Sequence, residues 1–155
     1  GRIMVLAHTG RKSGKRRRTP LNYAEVDGDI YVVAGFGVIA DWYRNIRANP
    51  NVEIWLPSGW WAGVAEEATD APQRLDLLRE VLRGSGIVAP LFGVAPDLPD
   101  PRLVDATAAY RLIRIRRGAP CTGGDGPGDL SWVWSYLLLA ALAVGWAVGR
   151  RSARR

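Results

Sequence analysis

Residues 10–20 read GRKSGKRRRTP, and the fold of this chain is organised around that stretch. Six of the nine residues from Gly10 to Arg18 are Lys or Arg, and none is acidic. The two glycines allow a sharp turn and a close backbone approach to a ligand, and apolar, strand-like segments lie on both sides. Arginine binds phosphate through paired hydrogen bonds, lysine adds a point charge, and turn amides form anion-binding nests. The stretch therefore predicts a connection between two strands that binds a polyanion.

The same composition is also typical of a solvated basic hairpin tip, or of a patch that contacts nucleic acid or anionic lipid. Charge alone does not separate these alternatives from an anion site. A P-loop is excluded, because that motif needs four residues between its glycines, followed by Lys and then Ser or Thr. Here three residues separate Gly10 from Gly14, and Arg16 follows Lys15.

The positive charge of the chain is local. The 155 residues carry a net charge of +6, and residues 1–18 contribute seven of the positive charges. Residues 19–130 carry ten Arg against fifteen acidic residues, and residues 131–155 carry four Arg and no acid. A broad nucleic-acid-binding face is therefore not expected, whereas a localised anion site is. The length suits one domain with a modest core.

Single occurrences of two residue types limit the chemistry of the chain. Cys121 is the only cysteine, so an intrachain disulfide is excluded, which is compatible with a reducing compartment. His8 is the only histidine, and it has no companion for a metal site, so no metal is predicted. At the end of an apolar run, His8 is more typical of a packed strand residue than of a catalytic base.

Apolar and alternating patterns predict a mainly β domain. The Asp27-Gly28 pair between two β-rich runs predicts a tight hairpin. Residues 85–105 are rich in Pro and Gly, which predicts a loop with one short helical turn. The predicted strands cover residues 3–8, 21–26, 30–34, 52–56, 60–67 and 110–116.

Two longer helices are predicted to pack on this sheet. The first covers residues 41–49, with Asp41 as its N-cap and an Asn-Pro pair as its stop. The second is capped by Thr69 or Asp70 and ends at Gly84. Its apolar stripe consists of Leu75, Leu78, Val81 and Leu82.

The last part of the chain differs in kind from the rest. Residues 118–130 are rich in Gly and Pro, which is typical of a flexible linker. Residues 131–149 carry no charge, have the length of a membrane-spanning helix, and hold tryptophans near both ends. A buried core helix is disfavoured because this stretch has no polar face. The predicted organisation is a domain at residues 1–117, the linker, a transmembrane helix and a basic tail at residues 150–155.

Two motifs at a characteristic spacing flank a Val-Val-Ala strand. The first is GRKSG followed by Arg17 and Thr-Pro-Leu, within residues 10–21, and the second is DWYRNIRANP, residues 41–50. Together they resemble the deazaflavin-dependent nitroreductase family, from about residue 3 to residue 68 and more weakly to residue 116. The resemblance implies an α+β, mainly β split barrel with two packed helices that binds coenzyme F420. This cofactor is a 5-deazaflavin that carries a phosphate and an oligoglutamate tail.

The resemblance also implies a cofactor site built from the basic loop, two strands and the first helix. The basic loop would hold the anionic tail, the second strand would line the path to the ring, the third would offer backbone amides, and the helix would close the site. In chain order the implied residues are Arg11, Lys12, Ser13, Arg17, Arg18, Thr19, Pro20, Leu21, Val33, Ala34, Gly35, Trp42, Tyr43 and Asn45.

The chain departs from the family pattern at three points, and the first of them concerns the substrate pocket. Many family members have a tyrosine after the Pro-Leu pair, where this chain has Asn22. The connection from Gly35 to Asp41 is shorter than the lysine-containing loop of well-known members, and their usual N-terminal helix is missing. No general acid is evident, and Tyr43 and Tyr23 are candidates only because they lie in or beside the motifs.

The function that the resemblance implies is an F420H2-dependent oxidoreductase. It would transfer hydride from the reduced deazaflavin to a quinone-like or nitroaromatic acceptor. Two alternatives stay open, namely FMN as the cofactor of a related split barrel, and a membrane-tethered module that binds a cofactor without catalysis. The expected partners are a small-molecule acceptor and a membrane but no nucleic acid, and a homodimer is also considered.

The expected localisation is the cell membrane, with one span and a cytoplasmic domain. Four arginines in residues 150–155 favour a cytoplasmic C-terminus under the positive-inside rule, but four arginines in residues 111–117 nearly balance them. The intracellular cofactor implied by the resemblance favours the cytoplasmic domain.

Overall fold

A computed structural model describes residues 2–86, 90 and 93–123 of the chain. The backbone of these residues forms six strands, all of them antiparallel to their neighbours. The strands are β1 (Ile3–Thr9), β2 (Arg16–Val26), β3 (Asp29–Ala34), β4 (Asn51–Leu56), β5 (Gly59–Glu67) and β6 (Arg111–Pro120).

The strands close into a barrel in the order β1-β2-β3-β6-β5-β4, and β4 pairs back onto β1. Two of the turns are tight hairpins. In the turn between β2 and β3, Asp27 and Gly28 both have positive φ, 52° and 84°. Such a pair matches the right-handed twist of the strands, so the predicted Asp-Gly hairpin is confirmed.

One apolar cluster fills the barrel. Successive side chains of a strand alternate between its two faces, and inward ones on β1, β3, β4 and β6 are fully buried. Each such side chain contributes roughly 1.5–3 kcal/mol through burial. The fully buried members of this cluster include Met4, Leu6, Ile30, Ile54 and Ile115.

Among the described residues, three α-helices with defined bounds lie outside the barrel, and they correspond to the two longer helices and the short helical turn that were predicted. They are α1 (Asp41–Ala48), α2 (Arg74–Gly84) and α3 (Asp100–Ala106), the last being the short helical turn expected between residues 85 and 105. The predicted stripe of α2 is confirmed, because Leu78 and Val81 pack with Ala24 and Leu112 over β2 and β6.

Two predicted caps are wrong. Ala40, not Asp41, is the N-cap of α1, and the Asp41 carboxylate binds Arg11 instead. The second helix begins at Arg74 with Gln73 as its N-cap, and the Thr69 hydroxyl has partners outside the helix. It donates to Glu67 Oε1 at 3.0 Å and accepts the Leu112 backbone N–H at 3.1 Å.

Two strands are longer than their patterns indicated. β2 begins at Arg16 because residues 16–18 pair with the end of β1, so the connecting loop is confined to residues 10–15. β6 continues to Pro120 and so extends into the predicted linker. Pro120 pairs with Trp61 of β5.

Within residues 2–86, 90 and 93–123, no helix has both the length and the apolar character needed to cross a membrane. The predicted span at residues 131–149 lies outside the described residues, as do the basic tail and most of the predicted linker.

Candidate functional site

The two edges of β2 are paired to different extents. On one edge, residues 16–22 pair with β1 over their whole length. On the other edge, β3 pairs only with residues 23–26, and its last partner on β2 is Tyr23. Residues 19–22 of β2 therefore part from residues 33–34 of β3 and from Gly35, which follows it, and the wall between these two strands is open at this end of the barrel.

A cavity of about 740 Å³ lies in this opening. Its size is typical of small-molecule sites, and its lining is predominantly apolar. Strands β2 and β3, the loop before α1, and α2 all contribute to the wall. The lining residues are Thr19, Pro20, Leu21, Asn22, Val33, Gly35, Phe36, Ala40, Asp41, Trp42, Val81, Leu82, Ser85, Val94 and Tyr110.

The loop at the rim of the cavity exposes large apolar side chains. Phe36, Val38 and Ile39 are 80%, 50% and 65% exposed. Gly37 fixes the loop, because its φ is +57° and a Cβ there would lie 2.3 Å from the Ala109 carbonyl oxygen. The Arg44 Nε donates to the Val38 carbonyl at 2.8 Å. The backbone of this rim is therefore fixed, and its exposed apolar side chains form a surface of the kind that marks interaction sites.

The basic loop, residues 10–15, is a compact turn. The Gly10 N–H donates to the Lys15 carbonyl and the Gly14 N–H to the Gly10 carbonyl, both at 2.8 Å. Gly14 has a φ of +64°, which favours glycine. The Ser13 hydroxyl accepts the Lys15 N–H at 3.3 Å, and Lys12 is exposed. The loop thus presents its cations to solvent from a defined backbone.

Arg11 connects the basic loop to the cavity. Its backbone N–H and its Nη1 both donate to Asn45 Oδ1 at 3.0 Å, and Nη1 lies 2.9 Å from Asp41 Oδ1. The hydrogen bond from Arg11, its charge, and the charges of Arg44 and Lys12 lower the pKa of Asp41. Because Asp41 also lines the cavity, the loop and the cavity form one site.

His8 lies between the basic loop and the cavity. It is 4% exposed, its Nε2 lies 3.1 Å from Thr19 Oγ1, and its Nδ1 lies 3.3 Å from Asn45 Nδ2. Burial, together with the charge of Arg17, lowers the pKa of His8 to about 4. The imidazole is therefore neutral at pH 7, and it is packed at the strand end as its position indicated.

The structure brings six of the implied site residues to the cavity. Five lie on β2, on β3 or on the first turn of α1, and Gly35 follows directly after β3. They are Thr19, Pro20, Leu21, Val33, Gly35 and Trp42.

Four other candidates lie elsewhere. Ala34 is buried in the barrel core, because successive side chains of β3 alternate between its two faces and the Ala34 side chain is on the inner one. Tyr23, a candidate proton donor, is also in that core cluster. Asn45 does not line the cavity but joins Arg11 to His8. Arg18 stacks on Trp60, with its guanidinium 5.7 Å from the ring centroid.

Tyr43, the other candidate proton donor, does not line the cavity. Its hydroxyl donates to Glu67 Oε2 at 2.7 Å and accepts from Arg47 Nη1 at 3.1 Å. Burial and the hydrogen bond to Glu67 raise the pKa of Tyr43. Within the described part of the chain, these hydrogen bonds of Tyr43 hold α1 against the end of β5.

Sequence reasoning did not identify several lining residues. Val81 and Leu82 were assigned to the core as part of the apolar stripe of the second helix. The stripe alone does not indicate that these two residues also line a cavity. Phe36, Ser85, Val94 and Tyr110 come from loops or helix ends that carry no motif. Asn22 had drawn attention only as a departure from the family pattern.

Comparison with protein families identifies the class of this chain. The profile of the F420H(2)-dependent quinone reductase family matches residues 1–84, which is more than half of the chain, and the chain belongs to that family.

Curated relatives match a shorter stretch. The F420H(2)-dependent quinone reductase Rv1261c of Mycobacterium tuberculosis H37Rv is 42% identical over 55 residues. The match covers 33% of this chain and 36% of the relative. A putative F420H(2)-dependent quinone reductase of Mycobacterium bovis matches with the same figures. The chain thus spans about a third of the length of these relatives.

Solved structures share the fold. An F420-H2 dependent reductase, FDR-A, aligns with a TM-score of 0.51 and 21% identity, over 73% of this chain and 92% of that one. The conserved protein Rv2991 of Mycobacterium tuberculosis aligns with a TM-score of 0.56 and 22% identity, over 82% of this chain and 86% of that one. These matches show the split-barrel fold predicted from the resemblance.

Proposed function

We propose that this protein is an F420H2-dependent oxidoreductase that reduces a quinone-like small molecule. The proposal rests on one observation: two different surfaces meet at the ion pair between Arg11 Nη1 and Asp41 Oδ1, which are 2.9 Å apart. One surface is an apolar cavity of about 740 Å³, and the other is a loop of exposed cations. A ligand with a flat ring and an anionic tail needs both, and membership of the quinone reductase family supports this reading.

The residues present are suited to the deazaflavin cofactor. Residues 19–22 of β2 are not paired with β3, so their backbone polar groups on that edge are available to a ring. Lys12, Lys15 and Arg17 supply positive charge for the phosphate and the oligoglutamate tail. When bound, the deazaflavin supplies the hydride. The protein contributes placement, charge compensation and exclusion of water.

The apolar rim favours a quinone-like acceptor over a nitroaromatic one. Phe36, Val38 and Ile39 are exposed beside the cavity mouth, where a lipophilic molecule would first make contact. The cavity wall behind them includes Trp42 and Leu82. Burial of such a molecule against this wall is favourable by about 25 cal/mol for each Å² of apolar surface removed from water.

Cofactor binding is the first experiment. Oxidised F420 and FMN are titrated separately into the purified full-length chain, and their fluorescence is followed. We expect saturable binding of F420 and no comparable binding of FMN. Tighter binding of FMN would favour the alternative cofactor and overturn the F420 assignment.

Turnover is the second experiment. F420H2 oxidation is followed with a water-soluble naphthoquinone and, in parallel, with a nitroaromatic compound. The apolar rim predicts a higher kcat/KM for the quinone, and a variant with Phe36→Ser and Ile39→Ser should lose part of that preference. Binding of F420 without turnover of either acceptor would favour the non-catalytic module.

Localisation and assembly stay proposals. We propose a single membrane span at residues 131–149 with a cytoplasmic domain. A membrane-impermeant thiol reagent should label Cys121, the only cysteine, after lysis but not in intact cells, with Cys121→Ala as the background control. Labelling in intact cells would reverse the orientation. Light scattering of the detergent-purified chain tests the homodimer.

A further inference from the structure

A continuous series of hydrogen bonds runs from the basic loop to the cavity. It begins at Arg11, whose backbone N–H and Nη1 both lie 3.0 Å from Asn45 Oδ1. Asn45 Nδ2 lies 3.3 Å from His8 Nδ1, and His8 Nε2 lies 3.1 Å from Thr19 Oγ1. Thr19 lines the cavity. The series therefore joins four residues that are distant in sequence.

The Arg11 end gives the series a fixed direction. Both Arg11 groups are donors, so the Asn45 atom that faces them is the carbonyl oxygen, and the Asn45 NH2 group must face His8. An NH2 group only donates, so His8 Nδ1 must accept. His8 therefore carries its single ring hydrogen on Nε2 and donates it to Thr19 Oγ1. The lowered pKa of His8, about 4, agrees with a neutral ring.

The direction determines what Thr19 does in the cavity. Because its oxygen accepts the hydrogen bond from His8, the hydroxyl hydrogen remains available for another acceptor. Among residues 2–86, 90 and 93–123, no residue accepts a hydrogen bond from this hydroxyl. A threonine hydroxyl without such direction rotates and serves as donor or acceptor. Here one lone pair is already engaged by His8, and the hydroxyl hydrogen is free to be donated to a ligand in the cavity.

We propose that His8 and Asn45 are positioning residues that hold the Thr19 hydroxyl as a hydrogen-bond donor to a carbonyl oxygen of a ring bound in the cavity. The inference rests on the proposed function for the nature of that ring. Carbonyl oxygens are present on the pyrimidine ring of F420 and on a quinone acceptor, and the chemistry is the same for both. The hydrogen bond to such an oxygen strengthens as the ring gains negative charge on reduction.

The direction of the series is tested by nuclear magnetic resonance on the full-length chain. His8 is the only histidine, so ¹⁵N-histidine labelling gives one imidazole whose two nitrogen signals identify the protonated atom. At pH 7 and without ligand, we expect the hydrogen on Nε2 and a bare Nδ1. A hydrogen on Nδ1, or on both nitrogens, would overturn the inference.

Matched pairs of variants test the consequence for ligands. Thr19→Val removes the hydroxyl and keeps the branched shape, whereas Thr19→Ser keeps the hydroxyl. His8→Leu removes the donor to Thr19, whereas His8→Gln supplies an amide that accepts from Asn45 and donates to Thr19. We expect Thr19→Val and His8→Leu to weaken ligand binding about three- to tenfold, and Thr19→Ser and His8→Gln to stay within about twofold of wild type.

Two readouts separate the two sources of the carbonyl. If the acceptor is F420, the Kd of oxidised F420 rises in the impaired variants. If it is the quinone, the KM for a water-soluble naphthoquinone rises at saturating F420H2, and the Kd of F420 does not. Unchanged values in both readouts, with each variant shown to be folded by its urea midpoint, would overturn the proposal. If Thr19→Val does not fold, Thr19→Ala replaces it.

Failure of the proposed function has a different signature. A wild-type chain that binds neither F420 nor the naphthoquinone would overturn the proposed function and the ligand half of this inference. The position of the His8 hydrogen is measured without ligand, so it would still decide whether the direction of the series is right.

Discussion

The two edges of β2 have opposite roles although they belong to one strand. The β1 edge is paired over residues 16–22, and behind it lie the fully buried side chains of the barrel. The β3 edge is paired only over residues 23–26 and then opens into the cavity. The closed edge is expected to govern stability, and the open edge is expected to govern ligand binding.

This division explains why the basic loop ends at residue 15. The ladder with β1 carries residues 16–18 away from the loop, and Arg16 and Arg18 stack on Trp60 across the closed side. Arg11 and Lys12 remain near Asp41 of α1, which lines the opening. One continuous run of basic residues is thus divided between a structural role and a binding role.

The largest effect is expected from Ile54→Ala on the closed side. Ile54 is fully buried in the barrel cluster, so the variant should lose about 2–5 kcal/mol of unfolding free energy. Leu21→Ala on the open side is the matched comparison, and a smaller loss is expected because Leu21 is only partly buried. Urea denaturation measures both, and equal losses would contradict the division.

Acid should weaken the fold through His8. Its pKa is about 4 in the folded chain and 6.5 in the unfolded chain, so between these values the unfolded state binds more protons. The stabilising contribution is complete above pH 6.5 and is lost as the pH falls toward 4. At about 1.4 kcal/mol per pH unit, the loss is roughly 3 kcal/mol. Urea midpoints across this range measure it, and His8→Gln should flatten the dependence.

Lys12→Ala should impair binding without affecting the fold. Lys12 is an exposed loop cation near the site, and the loss of one charge-assisted contact should raise the Kd of F420 about ten- to a hundredfold. Arg116→Ala is the control. Arg116 lies on β6 and pairs with Glu66, so its substitution also removes one positive charge. Equal effects of the two variants would mean that only overall charge matters. The wild-type Kd should also rise with salt.

The smallest effect is expected from Asp41→Asn. The substitution removes an exposed carboxylate that pairs with Arg11, and so strengthens the positive potential of the loop. F420 should bind up to about threefold more tightly, with little change in the urea midpoint. Weaker binding would instead show that Asp41 is needed to hold Arg11 in position.

Much of the fold was predictable because its signals are local. The Asp27-Gly28 hairpin, the alternation in β4 and the stripe of α2 are all encoded within a few residues. The pairing of β6 with β3 and β5 is not, because it joins residues about 80 apart on one edge and 50 on the other.

The site was predictable where a motif marks a strand edge. Thr19, Leu21 and Trp42 followed from the family resemblance. The resemblance also carried Val33, Ala34 and Gly35 over together, although the alternation of a strand sends Ala34 into the core. His8 and Asn45 are 37 residues apart, and no sequence pattern indicated their contact.

The position of β6 has a consequence for synthesis of the protein. Until residues 111–120 leave the ribosome, β3 and β5 each present an unpaired edge, because β6 is the strand that lies between them. At about 5–20 residues per second, the interval from the end of β3 at residue 34 to residue 111 lasts roughly 4–15 seconds. Unpaired strand edges are templates for aggregation. The nascent chain is therefore expected to be most prone to aggregation during these seconds, before its last described strand closes the barrel.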